Sequence, residues 1–248
     1  MNEAVMPPPL AGAWYLDFLS VLNAHLAPQS YLEIGTHSGD SLARITCDAI
    51  AIDPEFRIAS NPAGQRRRTF LFQMTSDAFF REHSVRAFFP GGVDLAFLDG
   101  MHRFEFLLRD FINTEAAAHH RSLILLHDCL PRNARMARRL FELGSAEDGD
   151  LAGAWTGDIW KLLPILQEYR PDLSVMPLDC PPTGLIAIMR LDPASNVLNR
   201  HYHEILARFR AETIESFGLV RLWSLYPLVD SLPLFQNPHD LTAAFGVY

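Results

Sequence analysis

Short apolar runs recur through residues 30–129 at a spacing that few architectures accommodate: SYLEIG (30–35), AIAID (49–53), TFLFQM (69–74), VDLAFLDG (93–100) and SLILLHDC (122–129). Runs this short and this continuous read as strands buried on both faces. Between them lie segments of helical character. SGDSLARIT (38–46) offers Ser38 as an N-cap, and SDAFFREHSVRAFF (76–89) offers Ser76 or Asp77. RFEFLLRDFINTEAAA (103–118) carries apolar residues at 104, 107, 108, 111 and 112, one face of a helix. Strands alternating with helices predict βαβ units, hence an α/β, doubly wound, Rossmann-like sheet that is mostly parallel with helices on both faces. A helix over residues 12–27, stopped by Pro28, precedes the first strand.

Beyond residue 129 the rhythm changes. Residues 131–144 read as a helix whose Arg132, Arg135, Arg138 and Arg139 form a solvated basic face, followed by a polar loop over 145–154. Residues 157–172 read as a helix with Pro164 near its start. LSVMPLDC (173–180) and TGLIAIMRL (183–191) are separated only by Pro181-Pro182, too short a link for a parallel return, so an antiparallel hairpin strand ends the sheet. An amphipathic helix over 194–217 leads into an aromatic, proline-punctuated tail. Three segments are expected: an N-terminal helical segment (1–28), a ligand-binding domain (29–192) and a C-terminal helix and tail (193–248). Trp223, Tyr226, Phe235 and Phe245 of that tail would serve packing or a partner subunit, predicting a homo-oligomer.

Composition narrows the function. A chain of 248 residues, 49% hydrophobic and 20% charged, can bury a sizeable core. A net charge of -8 argues against a nucleic-acid partner, which would need a basic face. Cys47, Cys129 and Cys180 are odd in number and widely spaced, as buried free thiols are. The N-terminus lacks the pattern of a signal peptide, and no apolar stretch reaches membrane-spanning length. A cytoplasmic protein with a small-molecule or glycan substrate is the expectation.

Two constellations carry chemistry. Glu33-Ile34-Gly35-Thr36-His37-Ser38-Gly39 closes the first strand with glycines that let a ligand approach the backbone, and Asp53 closes the second strand twenty positions after Glu33, where a carboxylate suits the hydroxyls of a ribose. Ser76-Asp77 follows the third strand. A plain tight turn would also explain the glycines. The second constellation is Asp99, His102 and His127-Asp128, delivered to one rim by neighbouring parallel strands. Carboxylates with imidazoles suit Mg²⁺, Mn²⁺ or a softer divalent ion. The competing readings are helix capping for Asp99 and Asp128, a surface position for His102 and a satisfied buried ring for His127. Asp158 reads as a solvated cap and Trp160 as core packing.

These residues resemble the class I S-adenosylmethionine-dependent methyltransferases: YLEIGTHSG their first motif, AIDP their second, TSDAF their third and VDLAFLDGMH their fourth. The resemblance, over roughly residues 12–191, implies a seven-stranded sheet and S-adenosylmethionine bound by Glu33, Gly35, Thr36, Gly39, Asp53, Ser76, Asp77 and Asp99. More narrowly, Asp99 with His127 and Asp128 resembles the metal triad of the catechol and macrolide-sugar O-methyltransferases. It implies a Mg²⁺ or other divalent ion on Asp99, His127 and Asp128, with Asp99 and His102 catalytic and His102 the general base. D-G-x-H, H-D-x and W-x-G-D-I-W-K look most like antibiotic and polysaccharide tailoring enzymes, although His127 stands where an acidic ligand is usual. The implied acceptor is a hydroxyl of a sugar or glycosylated small molecule. Alternatives are a catechol-like phenol in a slot made by Phe104, Phe106 and Trp160, or a non-catalytic assembly protein. An NAD-dependent oxidoreductase is opposed by the missing third glycine.

Overall fold

Each of the seven strand-like runs becomes a strand. In the computed structural model, which describes residues 7–59 and 61–246, the strands are β1 (Ser30–Ile34), β2 (Asp48–Ile52), β3 (Thr69–Phe72), β4 (Val93–Leu98), β5 (Ala118–His127), β6 (Ser174–Leu178) and β7 (Leu185–Met189). They form one sheet in the order β3-β2-β1-β4-β5-β7-β6. β1 pairs in parallel with β2 and with β4, and β7 lies antiparallel to both β5 and β6, as the Pro181-Pro182 link requires. Residues 1–6 of the expected N-terminal segment and Tyr248 of the tail lie outside the described residues.

Alternate residues of the strands feed two cores, which is why the runs are continuously apolar. Leu32, Ile34, Ile50, Ile52, Leu98 and Leu126 face one layer. That layer holds α2 (Ser76–Glu82), α3 (Val85–Phe88), α4 (Phe104–Ala117), α5 (Leu162–Tyr169) and α6 (Val197–Phe209). Tyr31, Ala49, Ala51, Leu95, Phe97 and Leu125 face the other, packed by α1 (Tyr15–Leu26) and by Leu241 and Phe245 near the C-terminus. The chain after Gly218 therefore changes faces. On the way, Val229 bridges Leu178 of edge strand β6 in parallel, covering an edge that would otherwise be open to another chain. Trp223 donates its indole N–H to the Pro131 carbonyl, and Phe245 is buried. Trp223 and Phe245, two of the tail aromatics expected to serve packing or a partner subunit, thus lie against their own chain.

Several expected helices are shorter or missing, each with a local cause. Residues 38–46 hold only a 3₁₀ turn at Leu42–Arg44, because the Arg66 guanidinium donates to the carbonyls of Leu42 and Ile45 at 2.6 and 2.7 Å, where helical N–H groups would have bonded. Residues 131–144 form turns and no helix. Arg135 donates to the carbonyls of Glu142, Leu151 and Ala154, so this segment folds around one side chain. The expected helix over 76–89 breaks at His83 and Ser84, both extended, and its cap is Thr75, whose hydroxyl accepts from Ala78 N–H. The helix of 157–172 is confined to α5, and that of 194–217 to α6 plus a turn at Ile214–Phe217.

α4, α5 and the chain leaving β7 are tied together by one buried ion pair. Arg170 at the end of α5 grips both oxygens of Glu115 on α4 at 2.5 and 2.8 Å, and Glu115 also accepts from Asp192 N–H. Removing one partner of such a pair strands the other charge. Arg170→Ala is expected to cost about 3–5 kcal/mol, measured by urea unfolding, whereas Arg138→Ala, whose pair with Glu142 is half exposed, should cost under about 1 kcal/mol.

Candidate active site

β1 and β4 are neighbours, yet β1 leads on to β2 on one side and β4 to β5 on the other, so the winding reverses between them. Ligands of such sheets bind in the crevice at that reversal, outside the carboxyl ends of the strands. Here the crevice is a cleft of about 490 Å³, well within the range of small-molecule sites. Its floor is Gly35, at φ 91°, whose N–H bonds the Ile52 carbonyl. A Cβ at Gly35 would come within 2.0 Å of the Asp99 carbonyl oxygen, so only glycine lets β1 and β4 end this close together. Asp53, Ser76, Asp77, Asp99 and His102 also line the cleft. Glu33, Thr36, Gly39, His127 and Asp128 do not. Glu33 and Thr36 are buried under the turn, and Gly39 closes it by donating to the Thr36 carbonyl.

Along the cleft from Gly35, the Asp53 carboxylate accepts from His37 N–H at 2.8 Å and Glu55 N–H at 2.7 Å, which fixes it at the end of β2. Asp77 is already engaged: Arg109 of α4 donates to both its oxygens at 2.7 and 2.6 Å and to Tyr202 Oη. Burial pushes the Glu33 carboxyl up to about 7, although the Tyr31, Thr36 and Ser41 hydroxyls favour its charged form.

At the other end two imidazoles and two carboxylates converge. His102 Nε2 stands 3.5 Å from Asp99 Oδ1 and 3.2 Å from Asp128 Oδ2, while His127 Nδ1 stands 3.3 Å from Asp99 Oδ2 and from Asp128 Oδ2. Trp155 O lies 2.9 Å from His102 Nδ1, which orients the ring. Asp128 takes φ 58°, rare for a residue with a side chain, and accepts from the Thr183 hydroxyl. Burial pushes the Asp99 carboxyl up, but His127 and His102 outweigh it and hold it well below the usual carboxylate range. Burial lowers both imidazoles, yet the two aspartates prevail: His102 is raised, and His127 is pushed up to about 10.

The donor set fits a divalent cation. Asp99, His102 and Asp128 each present a ligand atom within 4.8 Å of the others, and Asp99 Oδ1 and both His127 ring nitrogens are buried with no hydrogen-bond partner. Both imidazoles thus face the two aspartates, His102 through Nε2 from the cleft side and His127, the ring that the resemblance places in the metal triad, through Nδ1. The His127 ring packs beneath, 4.1 Å from the Tyr15 ring of α1.

Sequence reasoning missed three contributors. The Trp155 ring lies tilted against His102, centroids 4.9 Å apart, and lines the cleft; the W-x-G-D-I-W-K segment was its signal. Gly157 in that segment would bring a Cβ to 1.9 Å from the His102 carbonyl oxygen, so its role is close approach. Asp110, one turn after Phe106 on α4, lines the cleft with it, and its place beside an apolar stripe left no legible mark. Asp158 is no solvated cap. It is buried, accepts from Phe104 N–H at the start of α4, and pairs with Lys161 and Arg139. Phe104 and Trp160, two of the three residues expected to form a phenol slot, are core residues.

Residues 32–129 match a family model described as a methyltransferase domain. No curated protein matches the chain. Among solved structures, cofactor-bound Rv0187 from MTB is 17% identical with a TM-score of 0.52, covering 75% of this chain and 84% of that one. The SAH-bound methyltransferase PaMTH1 of Podospora anserina is 14% identical with a TM-score of 0.50, covering 72% of this chain and 78% of that one. At these identities the likeness is one of fold: the seven-stranded, Rossmann-like methyltransferase sheet. The matched domain and the fold agree on a methyltransferase.

The buried Glu33 makes stability depend on pH. Its folded-state value of about 7 lies above the ordinary 4.5, so its contribution is intact below pH 4.5 and is lost as pH rises through 7. Glu33→Gln keeps an acceptor for the Tyr31 hydroxyl but carries no charge. It is expected to raise stability by about 3 kcal/mol at pH 8 and to change it little at pH 4.5, read from urea unfolding at both pH values.

Proposed function

We propose that this chain is an O-methyltransferase that moves the methyl group of S-adenosylmethionine to a hydroxyl of a sugar or glycosylated small molecule, assisted by a divalent cation. One observation carries the reading: a single cleft runs from a fixed carboxylate at the end of β2 to the carboxylate–imidazole cluster at the ends of β4 and β5. Asp53 stands where a ribose diol can be held, and Gly35 leaves its backbone open to the ligand. When bound, the cofactor supplies an electrophilic methyl group and the cation lowers the pKa of the acceptor hydroxyl. Asp99 and Asp128 would hold that cation, with His127 closing the site from below.

His102 is the ring of the pair that lines the cleft, so it is the one placed to meet the acceptor. With Nδ1–H donating to the Trp155 carbonyl, Nε2, 3.2 Å from Asp128 Oδ2, serves as the base that takes the hydroxyl proton, and the two aspartates rather than this ring hold the cation. Trp155 and Met101 wall the cleft next to His102, presenting apolar surface to a ring-shaped acceptor. A sugar face or a phenol would stack there. The -8 charge does not oppose a neutral sugar or phenol. Three free cysteines suit a reducing, cytoplasmic setting, and among the described residues no helix is long and apolar enough to cross a membrane.

The test is calorimetric titration of S-adenosylmethionine into the protein with Mn²⁺ and then with EDTA. Micromolar binding is expected in both, and Asp53→Ala should weaken it more than tenfold. Absence of binding under both conditions would sink the reading. His102→Ala should lower turnover by about 10²–10⁴-fold with cofactor affinity retained. Asp128→Ala should weaken Mn²⁺ binding followed by electron paramagnetic resonance, and undiminished Mn²⁺ affinity would remove the cation from the site.

A further inference from the structure

The two imidazoles of the rim are oriented in different ways. His102 has the Trp155 carbonyl oxygen 2.9 Å from its Nδ1. His127 has nothing of the kind: its Nδ1 stands 3.3 Å from one oxygen of each aspartate, yet neither ring nitrogen makes an aligned hydrogen bond. Packing orients this ring instead. The Tyr15 ring lies 4.1 Å away at a tilt of 31°, and the Phe97 ring 5.9 Å away. Tyr15 and Phe97 are themselves stacked, 6.4 Å apart at 11°, so the three rings form one packed group. Phe97 is fixed within β4. Tyr15 is the first residue of α1, and the N-cap before it, Trp14, makes no side-chain capping bond. Its position must therefore be set from outside the helix.

The far end of the chain sets it. The Ser231 hydroxyl accepts from Ala13 N–H at 2.9 Å and donates to Asp179 Oδ1 at 2.7 Å, and the same carboxylate oxygen accepts from Ser231 N–H. Gly12 N–H donates to the Asp179 carbonyl. Ser231 is wholly buried, and a Cβ on Gly12 would come within 2.0 Å of both Asp179 Oδ1 and the Ser231 hydroxyl oxygen, so a side chain at residue 12 would break the knot. Val229 anchors this stretch to β6, donating to the Pro177 carbonyl and accepting from Asp179 N–H. We propose that residues 229–231 are a strap for the site: by pinning residues 12 and 13 they hold Tyr15 against His127, and Tyr15 is a positioning residue for the imidazole that faces Asp99 and Asp128. The assignment rests on reading that cluster as the cation site. Because one nitrogen of His127 spans both carboxylates, fixing the ring fixes their spacing, and groups one layer out from a metal act on it in this way. Burial, with the charges of Asp99 and Asp128, pushes the Tyr15 hydroxyl well above its ordinary value. It stays neutral beside those acids, so Tyr15 acts through its ring.

Mn²⁺ binding followed by electron paramagnetic resonance tests this in wild type, Tyr15→Phe, Tyr15→Ala, Ser231→Ala and the double variant Tyr15→Ala/Ser231→Ala. Each protein is measured at a temperature where circular dichroism shows it folded, so that lost stability alone does not register. Tyr15→Ala should weaken Mn²⁺ binding by about tenfold or more, whereas Tyr15→Phe, which keeps the ring, should stay within about threefold of wild type. Ser231→Ala leaves the Ala13 N–H without its acceptor and should weaken binding by about threefold or more. In the Tyr15→Ala background it should do nothing further, because the strap acts through the ring. If Tyr15→Ala does not fold, Tyr15→Leu, which keeps apolar bulk without a stacking ring, replaces it. Unchanged or tighter binding in Tyr15→Ala or Tyr15→Leu overturns the proposal, as does a loss in Tyr15→Phe as large as theirs. Unchanged binding in Ser231→Ala, or losses that add in the double variant, overturns the strap. A wild type that binds no Mn²⁺ overturns the cation reading and this assignment with it.

Discussion

A methyl group on residue 35 would lie 2.0 Å from the carbonyl oxygen of Asp99, and the layout of the rim follows from that approach. The ends of β1 and β4 touch backbone to backbone, so the turn after β1 opens directly beside the acid that ends β4. A second contact of the same kind lies above it: Gly157 meets the His102 carbonyl, where a Cβ would come to 1.9 Å. Two glycines thus clamp the β4–α4 loop between the turn after β1 and the segment carrying Trp155. Asp99 and His102, three residues apart on that loop, have little freedom to be anywhere but at the wall of the cleft. Both side chains are thus held by close packing rather than by hydrogen bonds alone.

Charge is distributed on the same logic. Buried charges are costly unless paired, and most buried charges in this chain are matched: Arg170 with Glu115, Lys161 and Arg139 with Asp158, the two rim aspartates with two imidazoles. The net charge of -8 therefore says little about the site, which is locally balanced. Against that background Glu33 and Asp110 stand out. Both are buried carboxyls with an oxygen that bonds to nothing, and in both burial raises the pKa toward neutrality. Glu33 lies under the turn and outside the cleft, where it bears on stability. Asp110 lies buried at the cleft wall beside Gly100.

The seven strands, the antiparallel return at Pro181-Pro182 and the acids at the strand ends were legible in the sequence because period, apolar continuity and link length are local properties. The helices over 38–46 and 131–144 were misread for a nonlocal reason. Arg66 and Arg135 reach carbonyls up to 24 and 19 positions away, and those bonds replace helical ones that the local pattern favoured. Trp155 was visible only as a motif residue. That it would orient His102 depends on a φ of 59° at Gly157, a torsion no spacing rule reports.

By itself the sequence determined the class of sheet, the side on which its acids emerge, and which residue types were available there for chemistry. Tertiary structure decided the rest. It brought both His102 and His127 up to Asp99 and Asp128, tied Asp77 to Arg109, and buried Asp110 of α4 at the cleft wall. The division has one physical cause. Backbone periodicity and burial are set within a few residues of chain, whereas the partner of a charged side chain is chosen among groups that only the fold brings within 4 Å.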